Sequence, residues 1–454
     1  MSNQSGIAAE RVSKLLDANS FVELQSRVTA RSTDFNLSAK KAPSDGVVIG
    51  HGLINDQLVF VFSQDASVLG GSIGEMHAKK IASVYDMALK VGAPVIGLLD
   101  CSGIRLQESF DALEAMGTIL AKATDATGLI PQIMCVCGNC GGGLSVLASL
   151  ADFTYMVDGA SLFVNSPDAI EGNTKSACDT SSAEFQMKET GVVDFAGDEA
   201  SVFDAIRKLV TMLPASDQEI ALDDCEDDVN RAAEGIEGMI DDGAAIATEI
   251  SDNRVFIETK QGFAKCVVTG FIKLDGMTVG VIGKRPNKDG KMAICPKGAS
   301  KIADFVEFCD NFSIPVLTIT NVNSLANSMK AETMFPRALR DMTRMFASSY
   351  TPKINLIVGN AIGSAYVLMN SKALGADLVY ALPTAKVGVM DANLAAKVIT
   401  EDGQDQATVA AEFDALQNSV EAAAARGYID RIVEPADVRK YIIDGFDMLL
   451  GKIG

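Results

Sequence analysis

Apolar residues recur along this chain with two periods, and the switches between them mark its elements. VVIGHGLI and LVFVFSQ alternate at period two around Asn55-Asp56, which predicts a β-hairpin over residues 45–64. Downstream, Ile81, Val84, Met87 and Ala88 share one face at helical spacing until Gly92 and Pro94 end the run. The strand PVIGLLD then opens into the polar loop Cys101-Ser102-Gly103-Ile104-Arg105, at the carboxyl end of a strand, where α/β sheets bind ligands. A second β-branched run, residues 133–136, feeds a turn containing Gly138, Gly141, Gly142 and Gly143, and residues 144–150 have helical spacing. Strand, glycine turn and helix in that order expose main-chain N–H groups that have no helical partner, at the end of the helix dipole that favours negative charge. The turn is a candidate oxyanion hole. Close packing of a helix on a sheet accounts for a lone turn of this kind about as well.

The chain writes this stretch twice. Pro352, Gly359, Asn360 and Gly363 stand 221 positions (352 − 131) after Pro131, Gly138, Asn139 and Gly142. The same offset carries Lys80-Ile81-Ala82 to Lys301-Ile302-Ala303, Pro94 to Pro315 and Asp100 to Asn321. Ala151-Asp152 and Tyr155 return as Ala376-Asp377 and Tyr380 at an offset of 225 (376 − 151). A shared offset over so long a stretch points to two homologous α/β domains, divided at 225/226, each with its own hole.

The remaining segments follow the same reading. Residues 11–24 read as a helix, residues 199–213 as another, and VFIETKQGFAKCVVTGFIKLDGMTVGVIG repeats the first hairpin. Residues 217–242 carry eleven acidic residues against one Arg, which predicts an interdomain linker and a solvated face. The chain closes on a helical tail with one apolar face, residues 420–452.

Composition narrows the function classes. A net charge of −20 argues against nucleic acid or an anionic membrane as partner, although Lys79-Lys80 and Lys284-Arg285 offer local cations to phosphates. The first twenty residues lack the apolar core of a secretion signal, and the apolar window 129–151 is interrupted by Pro131, Gln132, Asn139 and four glycines, unlike a membrane span. Nine irregularly spaced cysteines then imply reduced thiols and a cytoplasmic protein. Cys135, Cys137 and Cys140 have few histidines to complete a metal set, so they read as small buried residues and no metal is predicted.

With these motifs assembled, the chain resembles the carboxyltransferase subunits of biotin-dependent acyl-CoA carboxylases and decarboxylases. The resemblance runs from about Ser20 to the end, through DGVVIGHGLI, VFSQDASVLGGSIGEMHAKKI, GAPVIGLLDCSGIRLQE, GNCGGG, LPTAKVGVM and AAAARGYIDRIVEP. It implies two crotonase-like domains, each a β-sheet spiral wrapped by helices, with a coenzyme A thioester in the first and biotin, carried in by a partner, at the second. Gly103-Ile104 and Gly142-Gly143 match the hole for the thioester oxygen, and Gly363-Ser364-Ala365 the stretch facing the biotin ureido oxygen. Ser102, Arg105 and Gly141 on the first side, and Ser324, Leu325, Tyr366 and Val367 on the second, match flanking binding positions. The resemblance further implies a biotin carboxyl carrier protein, a biotin carboxylase or membrane decarboxylase subunits as partners, and a hexamer of dimers with sites shared between chains.

Several positions depart from the family pattern. Val-Asp-Val-Pro-Gly-Phe of the biotin loop is Thr320-Asn321-Val322-Asn323-Ser324-Leu325, and Gly-Gly-Ala-Tyr-Asp is Gly363-Ser364-Ala365-Tyr366-Val367. A Gly after Met390 is Asp391, and an Ala in the first domain is Ile104, which keeps its N–H. Two other readings compete. One is a coenzyme A-binding structural subunit without turnover; the other is a crotonase-like hydratase or isomerase, for which Glu108 is the available carboxylate, although a helix-start role suits that residue better.

Overall fold

Parallel β-strands need long crossovers, and the alternation of apolar strands with amphipathic helices supplies them here. The computed structural model describes residues 6–31 and 42–452; the first five residues of the segment read for a secretion signal lie outside it. The chain forms two compact units, Met1–Glu219 and Ile220–Gly454.

The first unit is built on β1 (Val22–Leu24), β2 (Val47–Ile54), β3 (Gln57–Gln64), β4 (Val95–Cys101), β5 (Gln132–Gly141), β6 (Phe153–Val157), β7 (Ser161–Phe163) and β8 (Phe195–Gly197). They form one sheet in the order β1-β2-β3-β4-β5-β6-β8, with β7 added on β5. β1 to β3 are antiparallel and the later pairings parallel. The helices are α1 (Ile7–Leu15), α2 (Glu75–Val91), α3 (Ser109–Ala126), α4 (Gly143–Leu150), the single turn α5 (Ala183–Phe185) and α6 (Glu199–Val210). Ile81, Val84, Tyr85, Ile119 and Leu147 from these helices pack on Phe62, Val95, Leu99 and Met134 of the sheet to make its core.

The second unit repeats the plan with β9 (Ile257–Thr259), β10 (Val267–Leu274), β11 (Met277–Lys284), β12 (Ala293–Ile294), β13 (Val316–Val322), β14 (Ser324–Leu325), β15 (Lys353–Ile362), β16 (Leu378–Ala381), β17 (Lys386–Gly388) and β18 (Arg431–Ile432). Its sheet order is β9-β10-β11-β13-β15-β16-β18 with β17 on β15, strand for strand the arrangement of the first, plus a separate β12-β14 pair. Its helices are α7 (Gly243–Ile250), α8 (Pro296–Asn311), α9 (Met329–Ser348), α10 (Gly363–Leu368), α11 (Ala392–Ile399), α12 (Gln406–Gln417), α13 (Val420–Ala425) and α14 (Val438–Leu449).

The repeated residues explain themselves in this frame. Lys80 and Lys301 are buried equivalents whose ammonium groups donate to the carbonyls of Val47 and Val267, at the starts of β2 and β10. Both hairpins turn on two left-handed residues, Asn55-Asp56 in one unit and Asp275-Gly276 in the other, the geometry that matches strand twist.

Four expectations are corrected. The first helix covers residues 7–15 instead of 11–24, because Val22–Leu24 pairs with Ile49–His51 as an edge strand. The units divide at 219/220 instead of 225/226, since Leu222 already bridges to Met277 and the Asp223 N–H donates to Gly276 O. For the same reason the acidic stretch 217–242 is not a free linker: Ala233 and Ile236 are core residues, and Arg231 ties Asp227 to Glu249. The tail is not helical throughout, because Arg431–Ile432 adds a strand to β16. Among the described residues no helix is long and apolar enough to cross a membrane.

Candidate active site

β4 and β5 run parallel as neighbours, with Cys101 opposite Cys140, so the loops that leave their carboxyl ends emerge side by side. Asn139 ties them together, its side-chain amide donating to Cys101 O at 3.1 Å. Within the first loop nearly every main-chain group is engaged. Ser102 N–H donates to Gly70 O, Arg105 N–H to Ile73 O, and Gly103 O accepts from Ile73 N–H. Gly103, at φ +109 with open space where a Cβ would stand, turns its N–H toward Cys101 Sγ at 3.2 Å. Ile104 N–H has no partner among the described residues.

The second loop is tighter than its glycines suggest. β5 extends through Gly138 to Gly141, and only Gly142 turns, at φ +63 and ψ −133, a conformation open to glycine alone. Gly138 has no Cβ because the Asp100 carboxylate occupies that space, 2.1 Å from where one would sit, and accepts the Asn139 N–H. Arg11 holds the other oxygen of Asp100 at 2.9 Å and reaches Cys137 O at 3.1 Å, which anchors α1 to the strand ends. Gly141 leaves room for the Phe163 ring.

Gly142 itself is not a donor to ligand. Its N–H is bonded to Phe163 O at 3.0 Å, because the β5-β7 pairing continues one residue past Gly141. The N–H groups without a preceding helical carbonyl belong to Gly143 and Leu144, the first two residues of α4. Neighbouring strand ends thus leave main-chain N–H groups open at Ile104 on one side and at Gly143 and Leu144 on the other.

Arg105 is a second correction. Its guanidinium is buried and fully engaged: Nη1 bonds Asp45 and Glu108, Nη2 donates to Ser72 O and Asp45 O, and Nε to Ser72 Oγ. It braces the loop from behind and has no donor to give a ligand. Glu108 belongs to the same cluster, its second oxygen accepting Glu75 N–H at 2.7 Å at the start of α2, so no free carboxylate stands there as a base. Burial pushes the Asp45 carboxyl up, with Arg105 opposing. The four local cations are committed as well: Lys79 to Glu75, Lys80 to Val47 O, Lys284 to Ala293 O, and Arg285 to Glu258 and Asp242. Ser102 lies exposed on the loop rim.

In the second unit the equivalent strand ends open onto a cavity of about 660 Å³. Ser324, Leu325, Gly363, Ser364 and Ala365, all expected from sequence, line it. Gly363 is left-handed at φ +60, and Ser364 and Ala365 follow in the first turn of α10, where N–H groups lack helical carbonyls. Asn321 replaces Asp100: its Oδ1 accepts Asn360 N–H at 2.9 Å and its amide donates to Ile240 O, a neutral version of the brace in the first unit.

Tyr366 and Val367 do not line the cavity. Tyr366 points into the apolar cluster of Ile357 and Val379, where burial raises its phenol pKa, and Val367 faces outward. Residues that sequence reasoning missed complete the wall: Asn323, Asn360, Lys386, Asp414 and Asn418. Asn360 on β15 is the repeat of Asn139 and Asn323 stands just before β14, so both were named in sequence without a binding role. Lys386 is on β17, and Asp414 and Asn418 come from α12 and its end, a helix without a counterpart in the first unit that the 221-residue offset could not find. Lys386 pairs with Asp414 at 2.6 Å, and Asn418 donates to Met390 O while its buried Oδ1 has no partner. Asp391, also in the wall, caps α11 by accepting the N–H groups of Asn393 and Leu394.

Residues 2–453 match the carboxyl transferase domain. The chain belongs to the carboxyl transferase family. It is 36% identical over 98% of its length to methylmalonyl-CoA decarboxylase subunit alpha of Propionigenium modestum, covering 90% of that protein. It is 35% identical to the propionyl-CoA carboxylase beta chain of Roseobacter denitrificans, over 98% of this chain and 91% of the relative. A crystal structure of transcarboxylase 12S, described as a hexamer assembly with hydrolysed methylmalonyl-coenzyme A bound, superposes with a TM-score of 0.94 at 31% identity, covering 98% of this chain and 90% of that one. The carboxyl transferase fold is therefore the crotonase-like one expected from sequence, and the protein is an enzyme of the propionyl-CoA carboxylase beta and methylmalonyl-CoA decarboxylase type.

Proposed function

We propose that this carboxyltransferase moves a carboxyl group between a short-chain acyl-CoA of the propionyl/methylmalonyl or acetyl/malonyl type and biotin on a separate carrier protein. The observation that carries this reading is the duplicated junction of parallel strand and helix, each copy turning on one left-handed glycine, Gly142 or Gly363. In the first copy, Ile104 N–H and Gly143 N–H hold the thioester oxygen as it gains charge, which stabilises an enolate without any side-chain base. A fixed pair of donors needs no reorganisation when the charge develops, and the arrangement serves carboxylation and decarboxylation alike.

The second cavity suits biotin. Its wall combines the first N–H groups of α10, which favour a carbonyl oxygen, with the amide groups of Asn323, Asn360 and Asn418, which suit a neutral ureido ring. Lys386 and Asp414 neutralise one another there. Biotin, when bound, supplies or accepts the carboxyl group and takes up the acyl α-proton. Ser364 and Ala365 orient its ureido oxygen, while Ser324 and Leu325 on β14 close the side of the cavity. The partners are a biotin carrier together with a biotin carboxylase or membrane decarboxylase subunits, and the working form is a cytoplasmic hexamer in which sites are shared between chains; the likeness to transcarboxylase 12S, described as a hexamer assembly, supports the hexamer.

Incubation of the protein with free biotin and methylmalonyl-CoA or malonyl-CoA tests the reading. Biotin-dependent release of CO2 is expected; thioester binding with no release from either substrate overturns it in favour of a structural subunit.

A further inference from the structure

Away from both strand-end sites, two cysteines distant in sequence meet at the start of α8. Cys266, just before β10, and Cys295, just after β12, have their sulfurs 3.4 Å apart. Each is partly exposed, whereas Cys101, Cys135, Cys137, Cys140 and Cys309 are buried. We propose that this pair is a thiol modification site, in which Cys295 is the nucleophile oxidised by a hydroperoxide and Cys266 the thiol that closes a disulfide on it.

Three features divide the roles. Cys295 is the cap of a sixteen-residue helix, and its Sγ accepts the Gly298 N–H at 3.3 Å, at the end of the dipole that stabilises an anion. The ammonium of buried Lys284, fixed by Ala293 O at 2.7 Å, adds a positive charge nearby. With Cys266 as donor of the S–H···S bond between them, that bond holds the Cys295 thiol below its ordinary range, helped by the Gly298 N–H and Lys284 against burial, and keeps Cys266 protonated. A thiolate with an adjoining thiol is the arrangement of a peroxide-sensitive pair.

The chemistry balances with hydrogen peroxide as oxidant. The Cys295 thiolate attacks one peroxide oxygen, the O–O bond breaks, and hydroxide leaves, so that sulfur loses two electrons and becomes a sulfenic acid. Cys266 gives up its proton and attacks that sulfur; the S–O bond breaks and hydroxide leaves with the proton as water. One peroxide and two thiols yield one disulfide and two waters.

The cross-link reaches the second cavity through β12. Ala293 and Ile294 pair with Ser324 and Leu325 of β14, which form part of its wall, and Ala326 N–H donates to Ile294 O. Tying Cys295 to the head of β10 withdraws the anionic acceptor from Gly298 N–H and pulls on the strand that supports that wall. Oxidation therefore lowers turnover at the biotin side and leaves thioester binding in the first unit unchanged.

The test treats the intact protein with limiting hydrogen peroxide, blocks free thiols with N-ethylmaleimide, and maps unreduced peptides by mass spectrometry. A peptide joining Cys266 to Cys295, two hydrogens lighter than its reduced halves and released by dithiothreitol, is expected on the order of tenfold sooner than modification of exposed Cys178, because the thiolate is the reacting form. In C266S the sulfenic acid persists and is trapped on Cys295 by dimedone. Modification of Cys178 ahead of the pair, or failure of C266S to give a dimedone adduct, overturns the proposal. Should C266S not fold, the wild-type peptide map decides alone. Because this readout is chemical, it stands or falls independently of the carboxyl-transfer activity.

Discussion

Gly143→Pro removes a single main-chain hydrogen and leaves nearly everything else in place. Gly143 is the first residue of α4, where proline is favoured and its fixed φ suits the helix. The preceding residue is a glycine in the mirror image of extended backbone, so it has no Cβ for the pyrrolidine ring to strike. The nearest atoms to a Cβ at Gly143 would be those of the Met116 side chain, at 3.7 Å and beyond, ordinary contact. The substitution thus isolates the proposed donor. Loss of one oxyanion donor costs about 3 kcal/mol of transition-state stabilisation, or roughly 10²–10³ in kcat. Gly143→Ala keeps the N–H in the same space and serves as the control. The assay is biotin-dependent decarboxylation of methylmalonyl-CoA, followed with the thermal midpoint to show that the fold is intact. G143P with kcat within a few-fold of the parent, or G143A impaired as severely as G143P, refutes the main-chain donor at this position.

Arg105→Met leaves Asp45 and Glu108 buried without their cation and should destabilise the protein by about 3–5 kcal/mol; urea unfolding checks this, and unchanged stability with only a weaker thioester KM would restore a direct binding role for Arg105. Gly359→Ala places a Cβ 2.7 Å from the Asn321 side chain and displaces the bond from Asn360 N–H. Its expected effect is slower biotin-side turnover with unchanged coenzyme A binding by calorimetry. His77 is buried and neutral, donating through Nδ1 to Asp45 O and accepting from Gln64; burial depresses its pKa from 6.5 to about 3. Since the folded value lies below the unfolded one, its contribution to stability is complete above 6.5 and is lost as pH falls toward about 3. The stability difference between the parent and His77→Gln should therefore shrink as pH is lowered through that window in urea titrations; a difference that stays constant refutes the assignment.

Much of the architecture was written in local pattern. The hairpin at Asn55-Asp56, the helix ended by Gly92 and the strand-glycine-helix junction each depend on residues close in sequence; the 221-residue offset carried the junction and the helix and strand before it into the second unit, and the second hairpin was legible from its own alternation. Of the cavity residues, Gly363 was legible from the repeat, while Ser324, Ser364 and Ala365 were placed only by resemblance to the family. What pattern could not supply is which main-chain hydrogens remain available, because that depends on strands brought together from far apart. Gly142 carries the required conformation, yet its N–H is taken by Phe163 across a parallel pairing, which leaves Gly143 as the first residue of the turn with an open N–H. Arg105 stands beside Ile104 in a loop that reads as a binding loop, but only the approach of Asp45, Ser72 and Glu108 turns it inward. Local sequence determined the elements and the kind of chemistry. Tertiary hydrogen bonding decided which individual groups are left to perform it, since a donor is free only when no distant carbonyl has reached it first.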